Sequence, residues 1–292
     1  MTKILLLGGS GFLGQSLLRK LEQKNSVKLM IHNSNLQTNA QKFNGDILSK
    51  NSFIHEIRDD QIIINLLGQI TSNESDLIDS NILGGLNLLN SCIDKKIKHI
   101  ILISSINVYG ENLERPSKEI DPLHPKTTYG IVKMITERIY RQFSETNGIN
   151  VTVLRLADIY GPNKKNGFLT QIINSLNDKT IVPVCYNDGK QQRDMLYIDD
   201  AIDCILNVIN NPHHGFNFFN VSSGKRYSIN ELISKIEKIS KSKLTVNYSS
   251  EIPDEKCIWA DNEKAKKFLK FEPKVDIEIG LKSTIDYFNS KK

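Results

Sequence analysis

Glycines at positions 8, 11 and 14 punctuate the opening stretch KILLLGGSGFLG, and nothing else in the 292 residues constrains the fold as strongly. Residues 3–7 are an apolar run short enough to be only a strand. Residues 12–21 repeat leucine at 13, 17, 18 and 21, which is helical spacing. Glycine lets the turn between them take positive φ and lets a ligand approach the backbone. The helix start behind the turn offers unpaired N–H groups and the positive end of a dipole. Strand, glycine turn and helix in that order predict a cradle for a dinucleotide's diphosphate, with Gly8, Ser10, Gly11, Phe12 and Leu13 as candidate contacts.

Apolar runs at 27–31, 61–67, 99–104 and 150–156 alternate with helical patterns at 82–93 and 129–145. Strands that are apolar throughout, separated by helices, indicate a parallel sheet covered on both faces: the doubly wound α/β arrangement. After Gly161 the pattern loosens into a loop at 162–167. Helices follow near 168–176, 198–209, 229–239, 262–269 and 277–288, with a short strand near 180–184. The expected division is a Rossmann domain over 1–165 plus about 192–221, and a smaller α/β substrate lobe over about 166–191 plus 222–292.

Net charge is +5, spread without a basic block, so nucleic acid is not an expected partner. No apolar run reaches the ~18 residues of a membrane span, and the first is too short for a signal peptide. A cytoplasmic protein is expected. Cys92, Cys185, Cys204 and Cys257 match no zinc or CxxC spacing, so buried free thiols are expected and a metal site is not.

The run at 27–31 ends in His32-Asn33-Ser34-Asn35, without the carboxylate that would hold the ribose hydroxyls of NAD. Polar His32 and Asn33 tolerate a 2′-phosphate better, which leans toward NADP over NAD; alternatively His32 is a solvated strand end. Asp46 either accepts from the adenine amino group or caps the next helix, with Ile47 beside it as a further candidate contact.

The pattern Tyr-x-x-x-Lys occurs four times, at Tyr129/Lys133, Tyr160/Lys164, Tyr186/Lys190 and Tyr287/Lys291. Gly161-Pro162 excludes a helix at the second, Asn187-Asp188-Gly189 makes a turn of the third, and the fourth lies at the C-terminus. Only Tyr129 and Lys133 share a predicted helix and hence a face. A free tyrosine titrates near 10, too high for a general base at neutrality, and a cation one turn away favours the phenolate. The lysine is also placed to donate to ribose hydroxyls.

Together these stretches resemble the extended short-chain dehydrogenase/reductase family, in its NAD-dependent epimerase/dehydratase group acting on nucleotide sugars. LLLGGSGFLG resembles the family's cofactor loop, and NLLG (65–68) stands where it often has His-Leu-Ala-Ala, making Leu67 a cofactor contact. SSINVYG (104–110) and YGIVK (129–133) resemble its catalytic strand end and helix. LRLADIYGP (154–162), QQRDMLYIDDA (191–201), FNVSSG (219–224) and ADNEKAKKFLKFEP (260–273) follow in the family's order. The resemblance implies Ser105 as the catalytic hydroxyl, Tyr129 as acid/base and Lys133 as the residue that orients the ribose. Arg193 would contact the substrate diphosphate, unless it is a plain ion pair with a neighbouring aspartate. Asp158 stands where the family often has a substrate-contacting asparagine, and Asn107 is a further substrate candidate.

Departures from the family narrow the reaction. Its 4,6-dehydratases carry Asp-Glu directly after the catalytic hydroxyl, and here those positions are Ile106 and Asn107, which transfer no proton. What remains is hydride chemistry: reduction of a 4-keto hexose, which the missing acidic residue and NADP favour, or 4-epimerisation. A non-catalytic cofactor-binding regulator on the same fold, or a reductase of another carbonyl compound, are rival readings. The family's second nucleotide-binding arginine is missing near SSEIPDEKCIW, where Lys256 is the available substitute. By analogy a homodimer would form through the helices at 82–93 and 129–145.

Overall fold

A computed structural model describes residues 1–32, 34–68, 73–112, 114–251 and 257–291. β1 (Lys3–Leu7) leads through the glycine turn into α1 (Phe12–Leu21), followed by β2 (Ser26–Ile31), β3 (Gln41–Asn44) and β4 (Gln61–Asn65). One helical run carries α2 (Glu74–Ile78), a π-type segment (Asp79–Leu83) and α3 (Gly84–Cys92) to β5 (His99–Ser105). A 3₁₀ turn (Ile106–Tyr109) and α4 (Thr128–Asn147) precede β6 (Val151–Leu156). Next come β7 (Asp158–Tyr160), α5 (Phe168–Asn177), β8 (Val184–Tyr186), β9 (Gln192–Arg193), β10 (Met195–Tyr197) and α6 (Ile198–Asn210). The chain closes with β11 (Phe216–Val221), β12 (Tyr227–Ser228), α7 (Ile229–Ser240), β13 (Asn247–Ser249), β14 (Cys257–Ile258), α8 (Glu263–Leu269) and α9 (Ile277–Asn289).

Seven strands form one parallel sheet in the order β3-β2-β1-β4-β5-β6-β11. Side chains alternate across it. Ile4 and Leu6 enter an apolar cluster with Leu17 of α1 and Ile205 of α6, while Leu5 and Leu7 enter another with Leu88 of α3 and Tyr140 of α4. The sheet is thus covered by helices on both faces, as predicted. The chain reverses its winding between β1 and β4, and the crevice beyond the C-terminal ends at such a point is the usual ligand position in these sheets. Shorter strands lie outside this sheet: β10 pairs with β7, β9 lies between β12 and β14, and β13 pairs with β8.

Several elements depart from the sequence reading. β3 was not anticipated, because Gln41, Lys42 and Asn44 are exposed on an edge strand and show no apolar alternation. The helix expected from 82 begins at Glu74, where the Asn73 side chain accepts from Ser75 N and caps it. The strand expected near 180–184 is displaced to β8, because Asp178 Oδ1 takes Thr180 N (2.9 Å) into a turn. All four cysteines are free and buried. Among the described residues no helix is long and apolar enough to cross a membrane, and no cluster of three or more metal-ligating side chains occurs.

Candidate active site

The glycine turn is built by close approach. Gly8 has φ +78°, and a Cβ there would lie 3.0 Å from the Leu66 carbonyl carbon, just beyond β4. A Cβ on Gly14 would lie 2.3 Å from the Gly8 carbonyl oxygen, so α1 packs directly on the turn. Gly11 begins the helix without a side-chain cap, leaving the first N–H groups directed at the crevice. Ser10, Gly11, Phe12 and Leu13 all stand at this end. A backbone cradle and an uncapped helix start fit a diphosphate.

Beyond β2, His32, Ser34, Asn35, Asn44 and Gly45 line a concavity with no lysine or arginine among its described lining residues. The Ser34 hydroxyl is buried there without a partner among the described residues. Asn33 lies outside the described residues. Asp46 Oδ1 accepts from Leu48 N (2.9 Å), a local turn. Ile47 is buried against Gly84, so its side chain is core.

The other wall is assembled from β4, β5 and α4. Thr127 caps α4 by accepting from Gly130 N (3.2 Å), and Gly148 ends it at φ 66°. A Cβ on Gly130 would lie 2.6 Å from the Asn107 carbonyl oxygen. That approach presses the start of α4 onto the turn after β5 and brings Tyr129 to Ser105. The Ser105 hydroxyl donates to Asn107 Oδ1 (2.7 Å) and lies beside the Tyr129 phenol. Ile106 is 2% exposed and belongs to the core, so it presents nothing to the crevice.

One turn along α4, Lys133 is 2% exposed and donates to the carbonyls of Leu67 (3.3 Å) and Ile103 (3.2 Å). Leu67 is held in turn by its N–H donating to Asn65 Oδ1 (3.0 Å), while Asn65 Nδ2 donates to Tyr140 (2.8 Å) on α4. Sequence reading took Asn65 only as part of a motif; it is the brace between β4 and α4. Ser104 donates to Glu137 (2.5 Å), which pairs with Arg155 below the site.

The expected lowering of the tyrosine by the lysine does not appear. Burial pushes the Tyr129 phenol up to about 12 and Asp158 adds to the rise, with Ser105 opposing. Lys133 is lowered to about 8 by burial, against the pull of Glu137. Its ammonium is turned to two carbonyls, 5.8 Å from the tyrosine ring centroid.

Asp158 opens β7, with its side chain 48% exposed and Oδ2 3.9 Å from Arg193 Nε. Arg193 also donates to the Gln192 carbonyl (2.8 Å). The neighbouring Asp194 is not its ion-pair partner: it is 1% exposed and accepts from Ser223 N (2.8 Å) and Ser223 Oγ (2.7 Å). Arg226, which the sequence reading missed, sits one residue before β12, the strand beside β9. Its guanidinium lies 4.6 Å from the Trp259 ring centroid and 3.6 Å from Cys257 Sγ. It therefore reaches the segment where the second arginine was missing; Lys256 itself lies outside the described residues. No local motif marks Arg226, because the pairing of β12 with β9 is long-range.

Comparison with known proteins agrees with this architecture. A model of the NAD-dependent epimerase/dehydratase family matches residues 4–222. An uncharacterized UDP-glucose epimerase of Bacillus subtilis is 32% identical over 206 residues, which is 70% of this chain and 64% of that protein. The match thus spans slightly less than two thirds of that relative's length. The crystal structure of UDP-glucose 4-epimerase from Thermotoga maritima with UDP-glucose superposes with a TM-score of 0.90 at 27% identity, covering 99% of both chains. UDP-glucuronic acid 4-epimerase from Bacillus cereus, in complex with UDP-glucuronic acid and NAD, gives a TM-score of 0.88 at 25% identity, covering 99% of this chain and 100% of that one. The protein is a Rossmann-fold member of the extended short-chain dehydrogenase/reductase group. It belongs to the NAD-dependent epimerase/dehydratase family.

Proposed function

We propose that the protein is an NAD-dependent 4-epimerase of a nucleotide-linked hexose. The observation that carries this reading is the meeting of Ser105, Tyr129 and Lys133 at one edge of the crevice, with no carboxyl acid or base after Ser105. Ile106 is turned into the core, and the Asn107 carbonyl group is occupied by Ser105. The lack of lysine and arginine among the described lining residues beyond β2 favours NAD over NADP. The named relatives act on UDP-sugars and favour epimerisation over net reduction.

Gly8, Ser10, Gly11, Phe12 and Leu13 would hold the diphosphate, the His32–Ser34 end and Asp46 the adenosine side, and Lys133 with Leu67 the nicotinamide side. When bound, the cofactor supplies reversible hydride exchange with the sugar carbon. Tyr129, steadied by Ser105, would take the proton from the 4-hydroxyl as its phenolate and return it to the same oxygen on the way back. The proton balance therefore closes on one phenol, as epimerisation requires. Arg193 and Arg226 would clamp the nucleotide diphosphate. In this reading residues 1–165 with about 192–221 serve the cofactor, and about 166–191 with 222–292 serve the substrate. Exposed Leu83, Leu86, Ile93 and Ile131 on the α3 and α4 segments support a homodimer through these helices.

Incubation with UDP-glucose should yield UDP-galactose without net consumption of nicotinamide. Tyr129→Phe should reduce the rate about 10²- to 10⁴-fold. Stoichiometric NADPH oxidation with a 4-keto sugar would instead identify a reductase. Cofactor bound without any turnover would identify a regulator.

A further inference from the structure

Asp158 occupies a place where the shape of the site forces it beside the sugar. Its Oδ2 lies 3.9 Å from Arg193 Nε, and its charge is felt at the Tyr129 phenol. A hexose whose 4-hydroxyl meets Tyr129 and whose anomeric diphosphate meets Arg193 must lie alongside that carboxylate. β7 gives Asp158 little freedom to withdraw, since its N–H donates to the Asp194 carbonyl (3.0 Å) and its strand pairs with β10.

We propose that Asp158 fixes the charge class of the sugar: the site takes a hexose with an uncharged C6 and rejects one with a C6 carboxylate. This rests on the nucleotide-sugar reading above and goes beyond it. An ionised carboxylate only accepts hydrogen bonds, whereas asparagine both donates and accepts. Sugar hydroxyls satisfy Asp158 as donors; a uronate offers it a second anion. Any carboxylate on a hexose ring beside Asp158 falls within the ~8 Å over which charges are felt at physiological salt.

Among the described residues two cations face Asp158, and each already has a partner of its own. Arg193 is the group a diphosphate would engage, and that engagement removes part of Asp158's own counter-charge. Lys164 donates to the Ile159 carbonyl (2.5 Å) and rests 5.9 Å from the Phe12 ring centroid, under the field of Asp158. With the diphosphate seated and both arginines drawn to it, Asp158 keeps only Lys164, among the described residues, as its counter-charge.

UDP-glucose and UDP-glucuronic acid differ only at C6 and isolate this effect. Binding of each is measured by calorimetry on the protein as purified, alongside turnover. The wild type should prefer UDP-glucose by about tenfold or more, and Asp158→Asn should shrink that preference about fivefold. Should the variant not fold, the wild-type preference is measured at about 20 mM and 500 mM salt, where it must weaken as screening rises. Equal or tighter binding of UDP-glucuronic acid by the wild type overturns the inference, as does a preference untouched by Asp158→Asn or by salt. Selective binding of UDP-glucose with no conversion keeps the inference and sinks the proposed reaction. Binding of neither sugar sinks both.

Discussion

Glu137 of α4 and Arg155 of β6 meet in a buried two-point ion pair, Nη2 2.6 Å from Oε2 and Nε 3.0 Å from Oε1, one turn of helix beyond Lys133. Both side chains are 5% exposed. Arg155 continues the chain by donating to Tyr109 (2.7 Å), whose hydroxyl donates to Asn220 Oδ1 (2.8 Å) on β11. Glu137→Gln leaves Arg155 without its counter-charge in a dry interior. Urea denaturation should show a loss of about 3–5 kcal/mol. A loss below about 1 kcal/mol would mean that water reaches the pair.

Gly14→Ala tests the cradle. The added methyl would lie 2.3 Å from the Gly8 carbonyl oxygen, and that oxygen is backbone that cannot swing aside. The turn must open, at a cost of about 1–3 kcal/mol. The variant should purify with much less nicotinamide cofactor, read from absorbance after acid extraction. Full retention would place the diphosphate elsewhere.

Arg226→Ala should raise KM for a nucleotide sugar about 10- to 100-fold with a smaller change in kcat, because a charge-assisted bond to diphosphate is worth about 1.5–3 kcal/mol. Arg226→Lys should recover part of the loss. An unchanged KM would give Arg226 a structural role beside Trp259 and Cys257.

His99 predicts the acid limb of stability. Its Nε2 pairs with Thr152 Oγ1 (2.9 Å), and its Nδ1 is buried with no partner among the described residues. Burial, helped by His213 and His214, lowers it from 6.5 to about 4. The unfolded chain therefore binds a proton that the folded chain refuses. This contribution to stability is full above 6.5, declines as pH falls, and is lost by about 4. It amounts to as much as about 3 kcal/mol. His99→Asn should flatten thermal stability between those limits; an unchanged slope would point to other groups.

The first half of the fold was legible because its requirements are local. Gly8 answers to a positive φ and Gly14 to a contact within the turn itself, and the buried strands announce themselves by apolar content. Tyr129 could be separated from Tyr160 and Tyr186 because proline, glycine and a turn deny them a helix, and from Tyr287 because its lysine falls past the end of the last helix. What stayed hidden depends on distant partners. β9, β12 and β14 hold two residues each, too few for any periodicity, and exist because they pair with one another. Asn65 reads as one letter of a motif until Tyr140, 75 positions away, comes to meet it. The state of Tyr129 was misread for a similar reason: spacing shows that Lys133 is near, but not that its ammonium is turned toward two carbonyls.

Ile106 carries a lesson for redesign. Writing the dehydratase pair Asp-Glu over Ile106 and Asn107 is a two-letter change, yet the first letter falls on a side chain that is 2% exposed. A carboxyl buried there would meet leucine and tyrosine instead of substrate, and burial favours its neutral form. The pair would become an acid and base only after the turn following β5 had rotated, against the contact of Gly130 with Asn107. Evolution or an engineer seeking water elimination from this chain must therefore first reshape a backbone and only then exchange residues.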